Sequence, residues 1–218
     1  MTHDGHRGRL RKKFCEGTLE DHELLELLLF YSIPRLNTNE IAHGLINACG
    51  GLKEVFSSDV ERLKRVAGVG ENSAVLIRLV SELMKRQAFS LCHTEALLSS
   101  QTELYKYLCA LFLGEYEEKT YMLMFGKNGR LLGHELIGDG IYDQSRIGIK
   151  KAIKKALATE ANGVIIAHNH PNGIARPSSY DISEAEKLEL IFRNAGIKVL
   201  DNFIVADGRC VAIRDSNT

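Results

Sequence analysis

The stretch that decides the fold lies at residues 163–183 and has the sequence GVIIAHNHPNGIARPSSYDIS. Its first six residues form a short apolar run rich in β-branched side chains, which is typical of a buried strand. The Pro-Asn-Gly tripeptide at 171–173 predicts a turn, and Pro177-Ser178 predicts the start of a helix. A strand, a turn and a helix in this order indicate a layered α/β structure.

The segments on either side of this stretch extend the same mixed pattern. KTYMLMF and RLLGHELIG are predicted strands, joined by a hairpin turn at 127–129 because an Asn-Gly step favours such turns. The other predicted elements are helices at 100–113, 145–159 and 178–194 and strands at 197–205 and 210–213. We therefore predict that residues 98–218 form an α/β domain with one mixed sheet flanked by helices.

In residues 1–92 the hydrophobic residues recur at helical spacing and do not alternate as in a strand. This part of the chain is predicted to form an all-α domain. Leucines repeat at helical spacing in DHELLELLLFYSIP up to Pro34, which lacks the amide needed to continue a helix. NTNEIAHGLINACGG begins with capping residues and ends on two glycines. In LKRVAGVG, at 63–70, glycines permit a tight turn before a longer helix, which resembles a helix-hairpin-helix motif. The looser segment 87–98 is the predicted domain boundary.

The overall composition is that of an ordinary globular protein, with 44% hydrophobic and 26% charged residues. Lys+Arg and Asp+Glu both number 28, which excludes a generic polyanion binder. The five cysteines include no C-x-x-C pair, so neither a disulfide framework nor a cysteine-only zinc site is expected. The polar start and the short apolar runs predict no secretion signal and no membrane span, and the cytoplasm is the expected location.

Three side chains in the 163–183 stretch are candidate metal ligands. His168 and His170 are two residues apart in an extended run, which puts both rings on the same side. Asp181 falls in the first turn of the following helix, where its carboxylate can point back toward the end of the strand. Two imidazoles and one carboxylate leave the fourth zinc position open, as in catalytic zinc sites. We therefore predict one zinc ion per chain at these residues.

The same residues also have simpler explanations. Two histidines near a turn are usually incidental, and Ser178-x-x-Asp181 fits a helix capping box. The letters HNH do not indicate an HNH nuclease, whose residues are dispersed, and zinc deaminases need H-x-E with a later P-C-x-x-C. The combined pattern of His-x-His, seven residues, Ser, two residues and Asp favours the metal site.

This pattern resembles the JAMM peptidase signature, and its form HNHP-x-G-x3-PS-x2-D is similar to the RadC family of bacterial proteins. GHRGRLRKKF, ELLELLLFYSIPR and LKRVAGVG resemble the N-terminal helical region of that family, so the likeness covers nearly the whole chain. The resemblance implies a cytidine-deaminase-like JAMM domain and a zinc-dependent metallopeptidase or isopeptidase that cleaves an amide bond in a peptide or protein substrate.

The resemblance also implies roles for individual residues. In JAMM enzymes the two histidines and the aspartate bind zinc, which assigns those roles to His168, His170 and Asp181. The serine after the proline helps to stabilise the oxyanion, which makes Ser178 a candidate catalytic residue. A serine hydroxyl close to a metal can donate to a developing tetrahedral oxygen, so this role is chemically reasonable.

The general base of JAMM enzymes is a glutamate ahead of the first strand of the domain. By position this matches Glu118, which precedes KTYMLMF. Glu135 on the second predicted strand competes for the role, and Glu115 and Glu117 are close enough to blur the alignment. We expect Glu118 to be the base.

The chain departs from the usual RadC pattern at Asp143, Lys150, Ile174 and the Asp201-Asn202 pair. None of these is a predicted metal ligand, so metal binding is expected to survive. The departures bear on substrate positioning and on the groups that surround the ligands.

Two further functions remain open. One is a DNA-associated repair or recombination protein whose zinc domain is structural, with residues 63–72 contacting DNA. The helix after the turn would present free N–H groups to a phosphate and Lys64 and Arg65 would add charge, whereas Glu71 disfavours a phosphate. The glycines also suit a turn that merely closes two packed helices. The other function is an adaptor that uses the α/β domain for docking, against which the intact ligands argue. The sequence does not determine the oligomeric state.

Overall fold

A computed structural model of the chain describes residues 3–34, 36–139, 146–171 and 173–214, so Asp143 and Asn172 lie outside the described residues. Contacts between residues divide the chain into two units, Met1–Lys85 and Arg86–Thr218. The division falls inside a helix, whereas the sequence placed the boundary in the looser segment 87–98. The residues of that segment belong to the second unit.

The first unit is built from helices. They are α1 (His3–Glu16), α2 (Asp21–Leu29), α3 (Thr38–Cys49), α4 (Leu52–Ser57), α5 (Val60–Lys64) and α6 (Glu71–Ser90), of which α6 continues into the second unit. Leucine and isoleucine side chains from α2, α3 and α6, among them Leu25, Leu45 and Ile77, form its core. Within the described part of the chain, no helix combines the length and apolarity needed to cross a membrane.

The second unit contains a five-stranded sheet with helices on both faces. Its elements are a 3-10 helix (Thr94–Ala96), α7 (Gln101–Leu111), β1 (Lys119–Phe125), β2 (Leu131–Asp139), α8 (Arg146–Ala158), β3 (Gly163–Asn169), α9 (Ser179–Asn194), β4 (Lys198–Ala206) and β5 (Arg209–Ala212). The strand order is β2-β1-β3-β4-β5, with β3 and β4 parallel and the other pairs antiparallel. The predicted mixed α/β fold is confirmed, and each predicted strand lies within one residue of its expected bounds.

Strand alternation separates the two faces of this sheet. Odd-numbered residues of β1 and β3, such as Leu123 and Ile165, pack with α7. Even-numbered residues, such as Met122 and Ile166, pack with α8 and α9. Because β1 and β3 are antiparallel, the start of β1 and the end of β3 lie at the same edge of the sheet. The face of the sheet on which a side chain lies and its position along the strand together determine which side chains can meet at this edge.

Candidate metal centre

Three ligand-type side chains converge at the carboxyl end of β3. The Nε2 atom of His168 lies 3.2 Å from Nε2 of His170 and 3.3 Å from Oδ1 of Asp181. Nε2 of His170 lies 3.6 Å from Oδ2 of Asp181. Ligand atoms bound tetrahedrally to zinc are separated by roughly 3.3 Å. Among the described residues these three form the one group of this kind, and its dimensions suit a zinc ion.

The fold explains why these residues meet. His168 and His170 are even-numbered, like the residues on the face of the sheet that packs against α8 and α9. The backbone N–H of His170 donates to the Val205 carbonyl at 2.9 Å, which holds His170 against β4. Asp181 is the third residue of α9, the helix that follows β3. The three side chains keep 13%, 15% and 11% exposure, so they are mostly enclosed but still reachable from solvent.

The loop after β3 orients the second imidazole. Nδ1 of His170 lies 2.9 Å from the carbonyl oxygen of Ile174, and Gly173 N–H donates to the His170 carbonyl at 3.1 Å. Gly173 has a φ of +79°, and a Cβ there would lie 2.4 Å from Oδ2 of Asp207. Glycine is therefore required in this turn. Sequence reasoning missed the contribution of Ile174, because a backbone carbonyl leaves no signature in the side-chain pattern.

Ser178 holds the carboxylate of Asp181. It is the N-cap of α9, and its backbone N–H and hydroxyl both donate to Oδ2 of Asp181, at 2.7 and 2.6 Å. The capping box that the sequence suggested is therefore present, and it is compatible with the ligand role because Oδ1 faces His168. The serine has a single hydroxyl proton, which this arrangement directs at Asp181. Its oxyanion role stays a prediction.

Asp181 is held in its charged form. Burial raises the pKa of this carboxyl, but hydrogen bonds from His168 and Ser178 outweigh burial and keep the pKa below its ordinary value. An ionised carboxylate beside two imidazole nitrogens is a donor set that favours a divalent cation.

Glu118 lies one strand away from the histidines. Thr120 is opposite His168 in the last pair of the β1–β3 ladder, so Glu118 lies two residues beyond the end of that ladder. Glu118 is half-buried and directly precedes β1, the neighbour of β3, at the edge of the sheet where His168 lies. The strand pairing therefore brings the chain around Glu118 to the edge of the sheet that carries His168, 50 positions later in the sequence.

The competing glutamates have other partners. Glu135 on β2 forms an ion pair with Lys151 at 2.8 Å, which lowers the pKa of Glu135 and weakens it as a base. In addition, β2 is two strands from β3, about 10 Å across the sheet. Glu115 pairs with Lys119 at 2.8 Å. Glu115 and Glu135 therefore both pair with lysines, and the assignment of Glu118 as the general base stays a prediction.

In the turn between α5 and α6, two glutamates neutralise the charge of Lys64. Nζ of Lys64 lies 3.0 Å from Glu61 and 2.7 Å from Glu71, and these bonds raise the pKa of Lys64. Gly68 packs closely on α3, since a Cβ there would lie 2.7 Å from Cδ1 of Ile41. These contacts favour the interpretation that the glycines close two packed helices.

A comparison with known families agrees with this geometry. The family model described as a RadC-like JAB domain matches residues 98–218, more than half of the chain. The match covers α7, the whole sheet, α8, α9 and the three clustered residues His168, His170 and Asp181. The chain therefore belongs to the RadC family, through its JAB domain.

Proposed function

We propose that this chain is a zinc-dependent metallopeptidase or isopeptidase that hydrolyses an amide bond. The observation that carries the proposal is the spacing of His168, His170 and Asp181, whose facing atoms lie 3.2 to 3.6 Å apart. A bound zinc ion supplies Lewis-acid polarisation of a carbonyl and lowers the pKa of a water molecule. Three protein ligands leave a coordination position open for this chemistry.

The proposed roles of the side chains follow from their positions. His168 and His170 offer neutral nitrogen donors, and Asp181 contributes the negative charge. Glu118, which lies two residues beyond the last pair of the β1–β3 ladder, accepts the proton of the attacking water and returns it to the departing amine. Ser178 donates to the tetrahedral oxygen once its hydroxyl turns away from Asp181. A peptide or protein supplies the scissile amide.

The test compares Glu118→Gln with Glu135→Gln as its matched control. Wild type and both variants are analysed for zinc by elemental analysis and for cleavage of a randomised library of internally quenched peptides. We expect about one zinc per chain in all three, and a loss of hydrolysis of roughly 100-fold or more in Glu118→Gln alone. Full activity in Glu118→Gln, or loss confined to Glu135→Gln, would show that the base is another residue.

The second candidate, a DNA-associated protein, has less support. Its proposed contact, residues 63–72, contains Lys64, which two glutamates already neutralise. Wild type that binds zinc but cleaves no peptide in the library would favour this function over hydrolysis. Duplex binding that weakens steeply with salt and is lost in a Lys64→Ala/Arg65→Ala double variant would then support it directly.

A further inference from the structure

Asn169 stands between the two histidines but points away from them. As an odd-numbered residue of β3, it lies on the face of the sheet that packs with α7, and only 4% of it is exposed. Its Nδ2 donates to the carbonyl oxygen of Glu117 at 3.0 Å, and its Oδ1 accepts from the backbone N–H of Lys119 at 2.7 Å. These two bonds bracket Glu118 on both sides.

The Asn169 amide continues the sheet where the backbone ladder stops. Cα pairing between β1 and β3 ends at Thr120 and His168. Beyond that pair, both the carbonyl at 117 and the N–H at 119 bond to the side chain of Asn169. A primary amide carries a donor and an acceptor in one planar group, so it can satisfy both backbone groups together. A carboxylate offers acceptors alone, and leucine offers neither.

We propose that Asn169 is a positioning residue that fixes the Glu118 carboxylate beside His168, His170 and Asp181. The direction of the Glu118 side chain is set by the backbone at 117–119, which Asn169 holds from the opposite face of the sheet. Catalytic rates fall steeply when a proton-transfer group moves by about 1 Å. This inference rests on the proposed function, because Glu118 is placed there as the general base.

The test uses Asn169→Leu and Asn169→Asp in the full-length chain. Leucine removes both bonds, while aspartate keeps an acceptor for Lys119 and loses the donor to Glu117. Asn128→Leu is the control, because Oδ1 of Asn128 also accepts a backbone N–H, that of Arg130 at 3.2 Å, beyond the other end of β1. The aspartate variant also keeps the experiment decisive if the leucine variant does not fold.

Three readouts separate positioning from a purely structural role. They are the zinc content, the zinc-induced change in the 13Cδ NMR signal of Glu118, assigned by its absence in Glu118→Gln, and the hydrogen exchange of the Lys119 amide. We expect Asn169→Leu to keep its zinc, lose the zinc response of Glu118 and exchange Lys119 faster. Its kcat on the quenched peptides should fall at least about tenfold with KM within about twofold, whereas Asn128→Leu matches wild type.

Two outcomes would overturn the inference. One is an Asn169→Leu or Asn169→Asp variant that keeps both the wild-type zinc response of Glu118 and the wild-type kcat. The other is loss of zinc itself, which would mean that Asn169 supports the ligands instead of the base. A wild-type protein whose Glu118 senses zinc without any peptide being cleaved would contradict the proposed function while supporting the positioning by Asn169.

Discussion

The Nδ1 atom of His170 donates a hydrogen bond of 2.9 Å to the carbonyl oxygen of Ile174. Because a carbonyl oxygen can only accept, Nδ1 carries the proton and Nε2 presents its lone pair to the cluster. Ile174 is 60% exposed, and its side chain takes no part in this bond. The loop after β3 therefore selects the tautomer that a metal needs, and the departure from the family pattern at Ile174 leaves this function intact.

Gly173→Ala should weaken zinc binding. Both Gly173 and Gly196 have a left-handed backbone, with φ of +79° and +78°, but a Cβ at Gly173 meets Asp207 whereas one at Gly196 meets open space. Alanine at Gly196 should cost roughly 1–2 kcal/mol of unfolding free energy. Gly173→Ala should cost more and also reduce zinc affinity roughly 10- to 100-fold, because the displaced loop releases His170. Urea unfolding measures the free energy of unfolding, and chelator competition measures the zinc affinity. Equal effects of the two variants would refute the role of the loop in orienting His170.

His170→Ala should abolish stoichiometric zinc. The remaining ligands, His168 and Asp181, would leave two protein donors for an ion that takes three in catalytic sites. His93→Ala removes an exposed histidine away from the cluster and should retain the zinc. Elemental analysis of the purified proteins distinguishes them. A wild-type chain without stoichiometric metal would contradict the predicted centre directly.

Asp181 should make metal-free stability depend on acid pH. Its folded-state pKa lies below the ordinary value of 3.8, so its ionised form stabilises the fold above that value. The contribution is lost as the pH falls through the lower folded-state pKa. The difference in unfolding free energy between wild type and Asp181→Asn should therefore shrink from about pH 5 downward. Guanidinium unfolding in a chelator at several pH values measures this difference, and Ser178→Ala should give intermediate values. A difference that grows on acidification would be inconsistent with the hydrogen bonds described.

Gly68→Ala should destabilise the first unit whether or not the chain binds DNA. The added Cβ combines a left-handed φ of +86° with contact at 2.7 Å to Ile41. We expect a loss of at least about 2 kcal/mol, from backbone strain and overpacking together. Gly70→Ala is the control, since its Cβ meets open space. Ile41→Val should recover part of the loss in Gly68→Ala, as measured by thermal unfolding, and no recovery would mean that packing is not the cause.

Several features follow from short-range patterns and were predictable. The five strands were located by alternation, β-branched runs and turn residues, which act within a few positions along the chain. The spacing of His168, His170 and Asp181 could be recognised in the sequence for the same reason. Positions i and i+2 of a strand share a face, and the first turn of the next helix lies a short loop away.

Other features depended on tertiary structure, because they join residues far apart in the chain. Only the folded chain shows that Glu135 pairs with Lys151 and that Glu118 lies at the sheet edge that carries His168. The bonds from Asn169 to the backbone on either side of Glu118 also join segments that are far apart in the chain. The local sequence does not distinguish an asparagine that bonds to a distant backbone from one in a turn. Local geometry sets the direction of a side chain within one element, whereas long-range pairing sets its neighbours. The three candidate ligands could therefore be predicted from the sequence, and their supporting contacts could not.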